Sequence, residues 1–250
     1  MELTLEGLAN RLQLTEEEEV VVIVGDAHTK SSAERSWLCL VGRILTHRPV
    51  NAEAFRSTMA AVWKPTQGMQ FKVLGDNLFL IQFNHIVDKK RVLGRGPWNF
   101  DKQLVLLEEF DGSMQPSEIQ FRSVLFWVHV IDLPIVSMTK EVGVLIGNSI
   151  GTFDDMDYAE DGVAWGKSLR IRVAININKP LRRGMKITLG QKDLMWVSFK
   201  YERLPNFCFA CGILGHNQRE CDLKLIGHSA PDGSHVQYGS WLRADTILGQ

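Results

Sequence analysis

The C-terminal part of this 250-residue chain carries a compact array of cysteine and histidine with the spacing C-x2-C-x4-H-x4-C. Its members are Cys208, Cys211, His216 and Cys221. Thiolate sulfur and imidazole nitrogen are ligands that zinc prefers, and two cysteines three positions apart can hold one ion from a single tight turn. Gly212 and Gly215 stand where the backbone has to turn beside these ligands. The array therefore predicts a zinc knuckle with one structural Zn²⁺ and no coordination position left open for water.

The alternative interpretations of the array are a disulfide or cysteines that lie in a loop by chance. Three of the four cysteines of the chain fall inside the array, and cysteines scattered through a core would not cluster in this way. Cys39 lies in an apolar run and is expected to be a buried small hydrophobic residue. A segment this short cannot bury a core of its own, so zinc binding would supply its folding energy.

Charge is distributed unevenly along the chain, although the net charge is only −1. Residues 1–34 hold eight acidic and two basic residues, whereas residues 167–203 hold ten basic and two acidic residues. A basic block directly before a zinc knuckle favours a polyanionic partner, because each neutralised phosphate releases condensed counterions. The candidate phosphate contacts in this block are Arg170, Arg172, Arg182, Arg183 and Lys186.

The N-terminal segment bears on where the protein resides. Residues 1–10 are polar and amphipathic rather than a secretory signal, and the apolar run Val20–Val24 is too short to span a bilayer. We therefore expect a soluble protein without a membrane partner, in a reducing intracellular compartment that is the nucleus, the cytoplasm or both.

Hydrophobic patterning divides the chain into an acidic N-terminal segment (1–34), a first domain (35–111), a second domain (119–205), the knuckle (206–223) and a flexible tail (224–250). In the N-terminal segment, Leu3, Leu5, Leu8 and Leu12 predict a short helix and Val20–Val24 a strand. In the first domain the pattern predicts, in order, a strand over 37–45, a helix over 51–63, strands over 67–74 and 77–83, a helix over 87–93 and a strand over 102–109. Asn51 is expected to cap the first of these helices, which runs to Trp63. One face of that helix carries Ala54, Phe55, Met59 and Val62. The order βαββαβ predicts a ferredoxin-like α+β fold.

RNA-recognition motifs share this order of elements and stack bases on aromatic side chains of the open sheet face. In the third strand, Phe79, Ile81 and Phe83 share the parity of the core face, which leaves Leu78, Leu80 and Gln82 pointing outward. None of these three side chains can stack a base. We therefore expect the outward face to pack on another part of the chain instead of binding RNA.

The second domain, after a linker over 112–118, is predicted to be an α+β unit with an antiparallel sheet. Its elements are a central strand over 124–133, a helix over 139–148, a long strand over 168–178 and further strands over 185–189 and 194–201. Five carboxylates between the helix and the long strand could serve a metal-dependent nuclease, but a solvated turn explains such a cluster better. They are Asp154, Asp155, Asp157, Glu160 and Asp161. After the knuckle, only 238–243 is expected to be ordered.

Several stretches together resemble the Gag-like, first-reading-frame protein of plant LINE-type retrotransposons. They are Leu40–Leu45, Gly96–Asp101, Trp127 with Leu133-Pro134, Lys179–Leu181, Tyr201–Pro205 running into the knuckle, and Tyr238–Ala244. The resemblance covers nearly the whole chain from Ser36 onward. It implies an N-terminal domain of unknown function, a CCHC knuckle and a role in binding element RNA in a ribonucleoprotein particle.

The resemblance also assigns roles inside the knuckle. Phe209 occupies the position whose ring stacks on an unpaired base, and packing over the metal site is the alternative role for this ring. The apolar residue that usually follows the histidine is replaced here by Asn217, and Ile213 could compensate for it. Arg219 completes the set of candidate contacts to nucleic acid.

Two function classes follow from these observations. The first is a binding protein for single-stranded nucleic acid, RNA rather than DNA, in which the knuckle contacts bases and the basic block holds phosphates. The second is a scaffold that self-associates through its first domain and uses zinc only structurally. An enzyme is not expected, because no nucleophile–base set, phosphate-cradling glycine loop or open metal position stands out.

Overall fold

The structure is a computed structural model that describes residues 15–159, 164–190, 194–221 and 237–244. Within these residues the chain forms two five-stranded antiparallel sheets. The first sheet and its helices consist of α1 (Asp26–Ser36), β1 (Cys39–Ile44), α2 (Ala52–Trp63), β2 (Met69–Gly75), β3 (Leu78–Phe83), α3 (Ile86–Gly94), β4 (Trp98–Phe100) and β5 (Gln103–Phe110). The second consists of β6 (Ser123–Ile131), α4 (Lys140–Ile150), β7 (Thr152–Met156), β8 (Leu169–Asn176), β9 (Gly184–Ile187) and β10 (Met195–Tyr201).

The first sheet has the strand order β2-β3-β1-β5-β4. Apolar side chains of β1, β3 and β5 that point to one face form a core with the buried faces of α2 and α3. This is the ferredoxin-like arrangement that the sequence predicts, and Phe79, Ile81 and Phe83 lie in its core as expected. The short strand β4 is an addition that the pattern did not predict, and it pairs with β5 as a hairpin.

Helix α2 begins where the sequence places it, because the Asn51 side chain accepts a hydrogen bond from the Ala54 amide at 3.0 Å. Its buried residues are Phe55, Met59 and Trp63. The predicted inclusion of Ala54 and Val62 in the buried face was wrong, since both are exposed. The spacing i, i+4, i+8 turns the apolar stripe toward Trp63, whose indole packs on Phe83 and Trp98.

The N-terminal segment differs from the prediction. Val20–Val24 forms no strand, and its five apolar side chains are 65–87 % exposed. The helix α1 follows this segment instead, and its polar sequence lacks the apolar periodicity that would have predicted it. The helix predicted around Leu3–Leu12 lies outside the described residues.

The second sheet has the order β7-β8-β6-β10-β9, so β6 is central, as its apolar character on both faces predicted. Helix α4 packs on β7 and β8 through glycines, and a Cβ at Gly143 would lie 2.8 Å from the Met156 sulfur. The acidic stretch was predicted to be a turn, but Asp154 and Asp155 belong to the edge strand β7. Glu160 and Asp161 lie outside the described residues.

The two sheets share one apolar core. Val41, Leu78 and Leu106, on the first-sheet face that points away from its helices, belong to the same buried cluster as Phe126 and Val128 of β6. This confirms that the Leu-bearing face packs on another part of the chain. Among the described residues, no helix is both long enough and apolar enough to cross a membrane.

Candidate metal centre and nucleic-acid interface

The four predicted zinc ligands come together in the fold. The ligand atoms of Cys208, Cys211, His216 and Cys221 all lie within 4.8 Å of one another, a spread that a single tetrahedral ion can span. Cys208 is completely buried, and Cys211 and Cys221 are 8 % and 2 % exposed. Four ligands of soft and borderline type around one point form a structural zinc site.

The backbone of the knuckle explains how the ligands converge. Phe207 and Leu214 pair in an antiparallel bridge, and the Cys208 amide donates to the Ile213 carbonyl at 2.9 Å. The Gly212 amide donates to the Cys208 carbonyl at 2.8 Å. Gly212 and Gly215 have φ angles of 76° and 90°, in the left-handed region that favours glycine. The glycines predicted from the motif therefore make the turns that place the ligands.

The electrostatic environment of the thiols suits a cation. Burial, followed by the neighbouring thiols of Cys208 and Cys221, raises the pKa of Cys211 to about 12. A divalent ion among the three sulfurs opposes both effects, since it stabilises the thiolates.

The knuckle is packed against the rest of the protein instead of extending from it. Phe207 and Leu214 belong to the core shared by the two sheets. A Cβ at Gly215 would lie 2.7 Å from Leu45, which shows how closely the knuckle approaches the end of β1. On the same side, Arg48 forms an ion pair of 2.7 Å with Glu220. The sequence pattern predicted a separate domain for the knuckle and did not predict this packing.

The chain after the knuckle returns to the second sheet. Leu242 is 1 % exposed, and Arg243 forms a parallel bridge with Tyr201 at the end of β10. The order predicted for residues 238–243 is therefore confirmed. The ring of Tyr238 lies against Gly212, where a Cβ would overlap it.

The predicted base contacts of the knuckle occupy different environments. Phe209 is half-buried, and its ring centroid lies 5.0 Å from that of Phe207. Ile213 is half-buried against the cysteine cluster, while Arg219 is exposed. The Phe209 ring packs with Phe207 against the core shared by the two sheets, whereas Ile213 packs against the cysteines. Part of the Phe209 surface stays exposed, and base stacking by this ring stays a prediction.

Arg170 and Arg172 on β8 are engaged inside the molecule. The Arg170 guanidinium pairs with Glu202 and Asp157, each at 2.6 Å, and lies 3.7 Å from the centroid of Trp127. Arg172 donates to the Gly94 carbonyl at 2.6 Å and lies 3.5 Å from Asp154. These interactions argue against a primary role for the two arginines in holding phosphate. The alternation along β8 showed that they point outward, but their acceptors are distant in the sequence.

The remaining predicted bases lie on the segment from Lys179 to Lys186, which follows β8 and runs into β9. Arg182, Arg183 and Lys186 are all exposed. They border an open cavity of about 700 Å³ whose lining also includes Trp196 and Tyr238. The buried Tyr201 hydroxyl donates to the Arg182 carbonyl at 2.7 Å and fixes this segment. The sequence pattern does not single out the two aromatic residues of the cavity.

The basic segment and the knuckle are directly connected. The Leu181 amide donates to the Gly212 carbonyl at 2.9 Å, and Leu181 itself is buried. The exposed bases beside Leu181 are thereby held next to the metal centre.

Comparison with known proteins finds two family models that match parts of the chain. A zinc knuckle family model matches residues 175–223, and a model described as a domain of unknown function (DUF4283) matches residues 32–118. The zinc knuckle model thus takes in β9 and β10 as well as the metal ligands. The chain is also similar to the uncharacterized protein At4g02000 of Arabidopsis thaliana, with 23 % identity over 140 residues. The match spans 56 % of this chain and 44 % of that protein.

Proposed function

We propose that this protein binds single-stranded nucleic acid, RNA rather than DNA, as a Gag-like component of a retrotransposon-type ribonucleoprotein. The observation that carries the proposal is the junction between Leu181 and Gly212, which places exposed arginines beside a zinc knuckle. The arginines supply charge for phosphates, and the knuckle supplies the partly exposed ring of Phe209 for an unpaired base. In this role the protein acts by binding, inside the cell, and not as a catalyst.

The salt dependence of binding tests this proposal. Replacing Arg182 and Arg183 together by Ala removes two positive charges that would each neutralise a phosphate. The affinity for single-stranded RNA should fall, and the slope of log K against log salt should flatten by about 0.7 for each phosphate that is no longer neutralised. Fluorescence anisotropy of a labelled oligonucleotide at several salt concentrations measures both quantities.

The matched control replaces two exposed lysines of the first domain, Lys72 and Lys90, by Ala. This variant has the same change of net charge at positions far along the chain from the knuckle. It should keep the slope of the parent. Equal slopes for the parent and the arginine variant would overturn the assignment of the basic segment.

One observation favours self-association as a second function. The five consecutive apolar side chains of Val20–Val24 are strongly exposed, and an apolar run of this kind on a protein surface marks a docking surface for another protein. A concentration-dependent mass in sedimentation that disappears when Val21 and Ile23 become Asp would support a scaffold. Both functions are compatible in a ribonucleoprotein particle.

A further inference from the structure

We infer that the cavity beside the knuckle is a second nucleotide-binding site, in which Trp196 stacks an unpaired base while the segment 179–186 holds its phosphate. The inference rests on the proposed function and extends it to residues outside the knuckle. With this site the protein would contact at least two nucleotides along one nucleic-acid strand.

Trp196 has the geometry of a stacking platform. It lies on β10 with its side chain 48 % exposed, next to the buried Val197. Its indole is seated on Gly184 of the neighbouring strand, where a Cβ would lie 2.5 Å from the ring atom Cζ2. A side chain at position 184 would displace the ring, so the glycine lets the indole pack closely on the neighbouring strand while Trp196 stays half-exposed. A fixed, exposed indole is what base stacking requires.

The charge around this ring fits a phosphate. The bases that line the cavity are Lys179, Arg182, Arg183 and Lys186, and none of the described residues that line it is acidic. Lys186 is the direct cross-strand partner of Trp196. Among the described residues, the Arg182 guanidinium makes one long hydrogen bond, 3.5 Å to the Ser149 carbonyl, in contrast to the close ion pairs of Arg170. The charges at the cavity are therefore available to an anionic ligand.

Tyr238 connects the cavity with the knuckle. Its ring lines the cavity, lies against Gly212 of the knuckle, and has the Arg183 guanidinium 5.5 Å from its centroid. A nucleic-acid strand can therefore run from the cavity past Tyr238 to the metal centre. None of the described residues that line the cavity would place an acidic group on this path. We assign the site to single-stranded nucleic acid, because the base faces of a duplex are covered by stacking and cannot contact Trp196.

The test measures binding of an oligouridylate of about 12 nucleotides, a length within the range of single-strand sites. Trp196→Ala should raise the Kd for this oligonucleotide about 5- to 150-fold, the range for loss of one base–aromatic stack. Trp196→Phe, which keeps a ring, should recover most of the affinity. Trp165→Ala is the matched control, since Trp165 is more exposed, at 73 %, and lines a different cavity. Its affinity should equal that of the parent.

Zinc content and thermal unfolding establish that each variant is folded, and Phe209→Ala separates the two sites. Quenching of tryptophan fluorescence by the oligonucleotide should persist in Phe209→Ala and lose its main component in Trp196→Phe. If the parent binds and Trp196→Ala binds equally well, the second site is wrong while the proposed function stands. If the parent binds no single strand, the proposed function fails and the second site fails with it.

Discussion

At the residue scale, Glu202 organises the polar interactions on the outer face of the second sheet. It accepts hydrogen bonds from Arg170 at 2.6 Å and from Nε2 of His129 at 2.7 Å, while Nδ1 of His129 lies 2.8 Å from the Ser168 hydroxyl. Burial alone would raise the pKa of Glu202, but the bonds from His129 and Arg170 outweigh it and lower this pKa to about 2. The network joins β6, β8 and the end of β10.

Because the pKa of Glu202 is shifted in the folded state, the free energy of unfolding depends on pH in the acidic range. Because the folded-state pKa lies below the ordinary value of 4.5, the network stabilises the protein above pH 4.5, and this contribution is lost as the pH falls toward 2. Glu202→Gln should lower the free energy of unfolding at pH 7 by about 1–3 kcal/mol and flatten its decline between those pH values. Urea unfolding at a series of pH values measures both effects.

The exposed Glu53 forms an ion pair with Arg56 at the surface, and Glu53→Gln provides the control. It should leave the acid profile of the parent unchanged, because an exposed ion pair contributes little to stability. An acid profile of Glu202→Gln that runs parallel to that of the parent would show that Glu202 does not carry the dependence.

Residue-level prediction from sequence worked where chemistry and spacing are local. The four zinc ligands follow from one short motif, because zinc requires soft donors at fixed separations. Trp196 and Tyr238 could not be found in this way, since the knuckle lies between them along the chain and only the fold brings both to one cavity. The ion pairs of Arg170 were hidden for the same reason, as Glu202 becomes its neighbour only through the fold.

At the element scale, the outward face of β3 carries an interface between the sheets. Leu78 is 5 % exposed and belongs to the core shared with the second sheet. Leu78→Ala should therefore cost about 2–5 kcal/mol of unfolding free energy, the usual range for a truncated core leucine. RNA affinity should stay within about twofold, because this face packs on protein and offers no aromatic ring.

Leu74, at the end of the adjacent strand β2, is 37 % exposed and serves as the control. Leu74→Ala should change stability by about 0.5 kcal/mol or less. Denaturant titration compares the two variants. A large loss of RNA affinity in a folded Leu78→Ala protein would identify the sheet as a binding face after all.

Elements with strong alternation or a clear cap were predicted from sequence, and weak ones were not. Leu169, Ile171, Val173 and Ile175 alternate with polar or small residues, so β8 could be recognised from its pattern. Strand β4 has three residues and exists through its pairing with β5, while β7 carries carboxylates that pair with β8 at a sheet edge. For such short elements, tertiary packing decides the conformation, and local propensity does not.

At the scale of the whole molecule, the knuckle closes a junction between the two sheets. Through Gly215 it touches Leu45 of the first domain, and through Gly212 it bonds to Leu181 of the second. The motif showed that a metal site exists, but its place in the molecule depends on surfaces that no local pattern describes. The described residues thus form one body in which the metal centre and the cavity are packed together with both sheets.

This packing has a consequence for how long a metal ion stays bound. Cys208, Cys211 and Cys221 are buried, so we expect zinc release to a chelator to require opening of the knuckle away from the body and its rate to report local unfolding. Arg48→Ala removes the ion pair to Glu220 and should speed release about 1.5- to 5-fold, as the loss of a surface pair predicts. Arg56→Ala, which removes the pair with Glu53, should not change the rate. If neither variant changes the release rate, the knuckle opens without leaving the body. If Arg48→Ala alone speeds release, the packing of the knuckle on the rest of the protein sets the residence time of zinc together with the four ligands.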